Sequence, residues 1–309
     1  MILKRNNIIK QYPWIKNKKQ KFIVSADYDG LICASFLNHY LNWELTGYYN
    51  LESIWISKSA IKSKEDLIWV DLNILPRQGR SIGGHIVSIK GESHTGFETS
   101  CNPNIIANLT SNNFNRKFPF STILFLMWLN NIQVKKDDWE LFLILHSDAT
   151  WVKMQHYTDN VKQWMTSLSN YDFDKLANRA RSKTFEKKID QIFYPKLIEI
   201  GAISGFSKLT GKVNNIKSRE SKINPDWDED IILSLFNLFG QKLGWTPPQL
   251  PAIINRVDGE RHRVELSRVR DVGIKTFLKK NKVFSYTITN PKYLNFTSFG
   301  LTYKSPMTN

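Results

Sequence analysis

Two cysteines, Cys33 and Cys101, are all that the 309-residue sequence contains, and no CxxC or Cys/His spacing accompanies them. This excludes a zinc-finger-type site and a disulfide framework, so we expect two free thiols. No apolar run reaches the roughly 18 residues of a membrane-spanning helix, and the N-terminus lacks the apolar stretch of a signal peptide. We therefore expect a soluble, cytoplasmic protein without a membrane partner. P-loop, GxSxG, HExxH and GxGxxG motifs are also missing.

Acidic side chains are few as well. Asp and Glu number 28 against 43 Lys and Arg, which leaves a net charge of +15. Residues 1–21 carry seven basic and no acidic side chains, and residues 252–309 carry eleven basic and four acidic ones, a surplus of 11 − 4 = 7. Such a surface attracts polyanions, so nucleic acid or an oligonucleotide, most simply single-stranded, is the expected partner. The alternative is a compositional bias toward Lys, Asn and Ile without a binding role.

Hydrophobic periodicity predicts an α/β protein with a second, smaller domain. Residues 1–20 are predicted to form a basic arm, 21–200 an α/β domain, 201–225 a linker, and 226–309 a basic α+β domain. Short apolar runs at 21–27, 53–57, 66–71 and 84–89 predict strands of a mostly parallel, doubly wound sheet with helices. Longer apolar segments at 119–131, 137–165 and 228–244 predict buried helices, the last ending at a glycine cap.

Several carboxylates stand at the ends of the predicted elements. Asp27 and Asp29 follow the first strand, at the sheet edge where open α/β proteins place ligands, and Asp71 ends a later strand. Asp148 follows a long apolar helix. Carboxylates held together repel unless a cation lies between them, and Mg²⁺ or Mn²⁺ prefers oxygen ligands. Each residue also has an ordinary interpretation as a helix cap or turn former.

These residues together resemble the DHH phosphoesterase family, over roughly residues 20–150. The first family motif is similar to IVSADYDGLICASFL, the second to WVDLN, the third to GGHIVSI and the fourth to HSDAT. Members include single-strand exonucleases, phosphodiesterases of small oligonucleotides and cyclic dinucleotides, and family II pyrophosphatases. The resemblance implies a metal-dependent phosphodiesterase or nuclease-like hydrolase acting on nucleic acid or oligonucleotides.

The resemblance also implies roles for individual residues. One or two Mn²⁺ or Mg²⁺ ions, activating water for attack on phosphorus, would be held by four carboxylates: Asp27, Asp29, Asp71 and Asp148. His85 would join them in catalysis by contacting a substrate phosphate. Further candidates for substrate binding lie in the following loops: His94, Arg116 and Lys117.

The sequence departs from the family pattern at three positions. Ser25 stands where a metal-binding His is usual, and Gly83 and Gly84 stand where the Asp and the first His of the third motif are usual. A second interpretation is therefore a catalytically degenerate module that binds nucleic acid or nucleotides. A third is a resemblance to haloacid dehalogenase phosphatases, with Asp27 as nucleophile and Asp29 as acid/base. The sequence leaves these alternatives open.

Overall fold

The computed structural model describes residues 2–62, 67–73, 79–89, 93, 95–135, 137–168, 170–203 and 223–300. Within these residues the strands are β1 Lys21–Ser25, β2 Glu44–Tyr49, β3 Ser53–Ser57, β4 Ile68–Val70, β5 Arg80–Ile82, β6 Ser100–Cys101, β7 Ile253–Asp258, β8 Glu260–Glu265, β9 Val283–Asn290 and β10 Tyr293–Ser298. The helices are α1 Arg5–Gln11, α2 Tyr28–Leu41, α3 Lys58–Lys62, α4 Pro103–Ile106, α5 Thr122–Asn130, α6 Asp138–His146, α7 Thr150–His156, α8 Thr158–Ser167, α9 Phe173–Ala180, α10 Lys183–Lys188, α11 Tyr194–Glu199, α12 Glu229–Leu243, α13 Leu266–Val272 and α14 Ile274–Lys280.

The strands form one large mixed sheet and one small sheet. The large sheet has the order β6-β5-β4-β1-β2-β3-β7, in which β6, β5, β4, β1 and β2 are parallel to one another. β3 and β7 continue it with antiparallel pairing. The small sheet, β8-β10-β9, is antiparallel. The protein therefore belongs to the α/β class, as predicted, with a small antiparallel sheet near its C-terminus.

The described chain divides into two compact units, each assembled from segments that are far apart in sequence. The helical unit comprises residues 1–16, 26–41 and 119–248, and the sheet unit comprises residues 17–25, 42–118 and 249–309. Both sheets belong to the sheet unit. The predicted linker, 201–225, lies mostly outside the described residues. Among the helices that the structure describes, none is both long and apolar enough to cross a bilayer.

Among its described residues, the sheet unit has two apolar cores. One core lies against β1, β2 and β3 and includes Ile23, Tyr49 and Ile54. The other packs α13 and α14 on one face of the small sheet through side chains such as Val269, Phe277 and Leu294. The alternating apolar positions of β9 and β10 supply one face of this second core, as expected for a sheet that is covered on one side.

The run at residues 84–89 is not a strand, which corrects one prediction. The corresponding strand, β5, is the preceding Arg80–Ile82. Ile86, Val87 and Ile89 bury their side chains in the core of the small sheet instead, and the Ile288 amide donates to the Ile86 carbonyl at 2.8 Å. An apolar run predicts burial but does not say in which core, so its assignment to the large sheet was wrong. The strands β2 and β6 were not predicted.

The helical unit begins with the segment that the sequence predicts as a basic arm. Residues 5–11 form α1, and Ile8, Tyr12 and Trp14 of this segment are buried. The Arg5 guanidinium lies 5.3 Å from the Trp128 ring centroid and its Nε donates to the Trp128 carbonyl at 2.6 Å. The N-terminal segment therefore packs into the helical unit through its apolar side chains.

The predicted helix at 137–165 is broken into three. A 3₁₀ turn, Ser147–Ala149, separates α6 from α7, and Asp148 and Ala149 both adopt left-handed backbone conformations, with φ of 53° and 52°. α8 follows after one further residue. Consecutive left-handed residues other than glycine are energetically costly, and such strain is concentrated at functional sites. The strained turn therefore supports Asp148 as a candidate functional residue.

Candidate functional site

Within the sheet unit, Asp71 stands at the carboxyl end of β4, beside β1. Ser25 is the last residue of β1, and its hydroxyl donates to Asp71 Oδ2 at 2.7 Å. The Asp71 backbone is left-handed, with φ of 60°. β1 is flanked by β2 on one side and β4 on the other, so the chain leaves β1 in one direction and later crosses to the other side. Open α/β sheets bind ligands at the carboxyl ends of the strands where this reversal occurs.

The loop after β5 leaves no room for the aspartate that the family places in its third motif. A Cβ at Gly83 would lie 2.8 Å from the Leu72 carbonyl oxygen and 3.2 Å from the Asn73 amide group. A side chain at this position would therefore push on the backbone that follows Asp71. The His85 side chain, two residues later, is exposed. Glycine at position 83 is thus required by local packing, and its replacement by an acid would need a change in the 71–73 segment.

Three buried asparagines hold this loop, and sequence reasoning missed them. Asn102 Nδ2 donates to Asn73 Oδ1 and to the His85 carbonyl, both at 2.8 Å. Asn104 Nδ2 donates to the Gly84 carbonyl at 2.6 Å, and its Oδ1 accepts from the Phe118 amide at 2.7 Å. The network joins the ends of β4, β5 and β6. The only sequence signal was an asparagine-rich stretch, which is equally typical of ordinary turns.

Within the helical unit, Asp29 is buried and its carboxylate receives several hydrogen bonds. Oδ2 accepts from the Thr122 amide at 2.8 Å, while Oδ1 accepts from the Ile123 amide at 3.2 Å and from the Ser147 hydroxyl at 2.7 Å. The two amides open α5, whose third amide is capped by Ser121 Oγ at 3.4 Å. Asp29 therefore serves as a cap for α5 that is contributed by another helix.

The environment of Asp29 opposes its negative charge overall. The pKa of Asp29 is raised to about 7, first by burial and then by the nearby Asp148 and, to a smaller extent, Asp27, while the hydrogen bonds from Ser147 and Thr122 lower it. Desolvation of the charged form is the largest cause. Within the helical unit, Asp27 and Asp148 therefore lie close enough to Asp29 for their negative charges to raise its pKa.

Asp27 and Asp148 also have protein partners. Asp27 Oδ1 accepts from the Gly30 amide at 3.0 Å, at the start of α2, which is an ordinary helix-capping contact. Asp148 Oδ2 lies 3.4 Å from Lys153 Nζ, and both side chains are partly exposed. Each of the four predicted metal ligands therefore has a hydrogen bond or ion pair with a donor from the chain itself.

The described residues include no ready-made group of metal ligands. Across the described ranges, no group of three His, Cys, Asp or Glu side chains is arranged to hold a metal. Asp71 and Ser25 belong to the sheet unit, whereas Asp27, Asp29 and Asp148 belong to the helical unit. Ser25 and Gly84, which stand where the DHH resemblance predicts histidines, supply no imidazole.

The predicted substrate-binding residues have different positions. His94 lies outside the described residues. Arg116 is exposed at the end of the 3₁₀ turn Ser111–Arg116. The Lys117 ammonium lies 4.7 Å from the centroid of the Phe114 ring. Both basic residues therefore stand at the surface of the sheet unit, the unit that also contains Asp71 and His85.

Comparison with known proteins adds no relative to this picture. A scan of protein-family models and searches of curated proteins and of solved structures found no match to the chain. Function must therefore be inferred from the chain's own residues.

Proposed function

We propose that this chain binds single-stranded nucleic acid or oligonucleotides through a DHH-like, doubly wound α/β fold whose acidic site no longer holds catalytic metal. The observation that carries this proposal is the set of internal partners of the four acids. The Ser25 hydroxyl donates to Asp71, and the first amides of α5 donate to Asp29. The Gly30 amide donates to Asp27, and Lys153 forms an ion pair with Asp148. Groups that would be metal ligands in an active relative serve here as caps and ion-pair partners.

Two further features support a ligand-binding role over a purely structural one. The parallel strands follow the order β2-β1-β4-β5-β6, so the direction of the strand order changes between β1 and β4. The Ser25–Asp71 pair lies at the carboxyl ends of these two strands. The Asn102 network, in turn, fixes the loop that carries the exposed His85. A rigid loop at this edge supports recognition of a ligand rather than simple chain connection.

The net charge supports a polyanion as that ligand. A surplus of +15 is larger than a small anionic ligand needs, and the basic C-terminal residues belong to the same unit as the Ser25–Asp71 pair. Phosphate neutralisation releases counterions, so such binding should weaken steeply as salt is added.

Fluorescence anisotropy with a labelled single-stranded oligonucleotide tests the proposal. We expect binding that weakens with salt and has the same affinity in EDTA as in Mn²⁺. No binding at low salt, or binding that requires Mn²⁺, would contradict it. Asp71→Asn is the matched variant, since it keeps the shape of the side chain while removing its charge, and it should bind as well as or better than the unaltered protein.

A second candidate is the metal-dependent phosphodiesterase that the DHH resemblance implies. The raised pKa of Asp29 favours it, because carboxylates with pKa values near neutrality are concentrated at catalytic sites. Labelled single-stranded DNA, RNA and a cyclic dinucleotide, each incubated with Mn²⁺ or Mg²⁺, would reveal this activity. Turnover that Asp71→Asn abolishes would replace the binding proposal with this one.

A further inference from the structure

The outer surface of α13 and α14 carries basic side chains almost without acidic ones. The inward positions, including Val269, Ile274 and Phe277, pack against the small sheet. The outward positions and the turn that follows carry six exposed basic side chains, one of which is Arg270. The other five are called here the basic layer: Arg268, Lys275, Lys279, Lys280 and Lys282. Asp271 is the one acidic residue between positions 268 and 282.

The cations of the basic layer have no internal partners among the residues that the structure describes. Several cations of the helical unit, by contrast, pair with carboxylates, as Lys175 does with Asp172 at 2.6 Å and Arg179 with Asp138 at 2.7 Å. Within the described part of the chain, none of the five basic-layer side chains makes an ion pair or a side-chain hydrogen bond. Their charge is therefore left for an external anion, and several like charges at close spacing favour a polyanion.

A hydrogen-bonded contact joins α13, which carries Arg268 of the basic layer, to the 3₁₀ turn Ser111–Arg116. Arg270 Nη2 donates to Ser111 Oγ and to Asn112 Oδ1, both at 3.1 Å. This contact places α13 against the turn Ser111–Arg116, where Asn115 and Arg116 are also exposed. Amide and guanidinium groups hydrogen-bond the edges of bases, and these edges are accessible in single strands but are paired in duplexes.

We propose that the basic layer, together with the turn at residues 111–116, is the surface on which this chain holds a nucleic-acid single strand. The lysines and Arg268 contact backbone phosphates, and Asn115 and Arg116 contact unpaired bases. A lipid surface fits less well, because membrane-bound amphipathic helices expose their apolar face, whereas that face of α13 and α14 is buried in the protein core. The inference deepens the proposed function, on which it rests, by naming where its ligand lies.

The test compares two triple variants of the full chain that remove the same charge. Lys275→Ala/Lys279→Ala/Lys280→Ala alters the basic layer. Lys162→Ala/Lys183→Ala/Lys187→Ala alters exposed lysines of the helical unit. Affinity for a fluorescein-labelled oligo-dT of about 20 nucleotides is measured by anisotropy in EDTA over a range of salt concentrations. At about 0.7 log units per phosphate contact, losing three contacts should make the salt slope shallower by about 2 and weaken binding roughly 10- to 100-fold at 0.1 M salt.

We expect this loss in the basic-layer variant only, with unchanged circular dichroism in both variants. Equal losses in the two variants would show that total charge alone determines affinity, and would overturn the assignment of the surface. Equally strong binding to a duplex of the same length, or dependence of anionic-vesicle binding on the same lysines, would overturn the single-strand assignment. If the unaltered chain binds no oligonucleotide, the proposed function fails as well, whereas intact binding by the basic-layer variant rejects only the surface.

Discussion

Replacing Asp29 by asparagine should change the way the stability of this protein depends on pH. Asp29 is buried, and its pKa is raised from 3.8 to about 7. Between these values the folded protein keeps a proton that the unfolded chain has released. The contribution of Asp29 to the free energy of unfolding is therefore complete below pH 4 and is lost as the pH rises through 7.

The size of this effect follows from the raised pKa. Each pH unit between the two pKa values costs about 1.4 kcal/mol, so two units, from pH 5 to pH 7, cost about 3 kcal/mol. Little more is lost above pH 7, because both states are then largely ionised. The side-chain amide in Asp29→Asn does not titrate, so the variant lacks this part of the pH dependence. In the variant, the side-chain NH2 group replaces an oxygen that accepts from a backbone N–H, so two donors face each other. The lost hydrogen bond should lower the free energy of unfolding by about 1–3 kcal/mol at all pH values.

Urea denaturation at pH 5 and pH 8.5 measures both the pH-dependent contribution of Asp29 and the pH-independent cost of the substitution. We expect Asp29→Asn to be less stable than the unaltered protein at pH 5, and the difference to shrink by about 3 kcal/mol, or to reverse, at pH 8.5. Asp174→Asn, which removes an exposed acid from α9, is the control and should track the unaltered protein. A stability difference between the unaltered protein and Asp29→Asn that stays constant across this range would refute the assignment of a neutral, buried Asp29.

Three smaller changes test the packing of the sheet edge. Gly83→Ala should lower the free energy of unfolding by about 1–3 kcal/mol, since its Cβ would press on the Leu72 carbonyl, and wild-type stability would show that the loop has space after all. Asn102→Ala removes hydrogen bonds to Asn73 Oδ1, the His85 carbonyl and the Asn104 amide, so the free energy of unfolding in urea should fall by about 2–4 kcal/mol. A fall below about 1 kcal/mol would mean that the network does not fix the loop. Ser25→Ala should cost about 1–3 kcal/mol by leaving Asp71 without its hydroxyl donor, and no change in the urea midpoint would argue against that bond.

The position of Asp71 at the end of β4 could be predicted because it follows from local pattern. A buried strand that ends in a carboxylate places that carboxylate at the sheet edge whatever the strand order is. The helix at 229–243 was equally readable, since a periodic apolar segment is followed by Gly244, which adopts the left-handed conformation of a helix cap.

The roles of the candidate acids could not be predicted, because they depend on contacts between distant residues. The Asp29 carboxylate binds the Thr122 amide, 93 residues away in the chain, so nothing in the DxDG pattern distinguishes a metal ligand from a cap for α5. Likewise, the glycine at position 83 is explained by the Leu72 carbonyl beside it, which only the pairing of β4 with β5 brings close. The broken helix at 147–149 has no such local signal, since Ala149 is an unusual residue for a left-handed backbone and an aspartate such as Asp148 occurs equally in unbroken helices.

We propose that the chain's own donors, rather than a metal ion, satisfy its four acids. Electron paramagnetic resonance of Mn²⁺ added to the protein in the presence of an oligonucleotide tests this most directly, because bound Mn²⁺ loses the sharp signal of the free ion. We predict that the free-ion signal equals the amount of Mn²⁺ added after correction for an oligonucleotide-only sample, and that it is the same for Asp71→Asn. Stoichiometric loss of the free-ion signal in the unaltered protein, restored by Asp71→Asn, would contradict the claim.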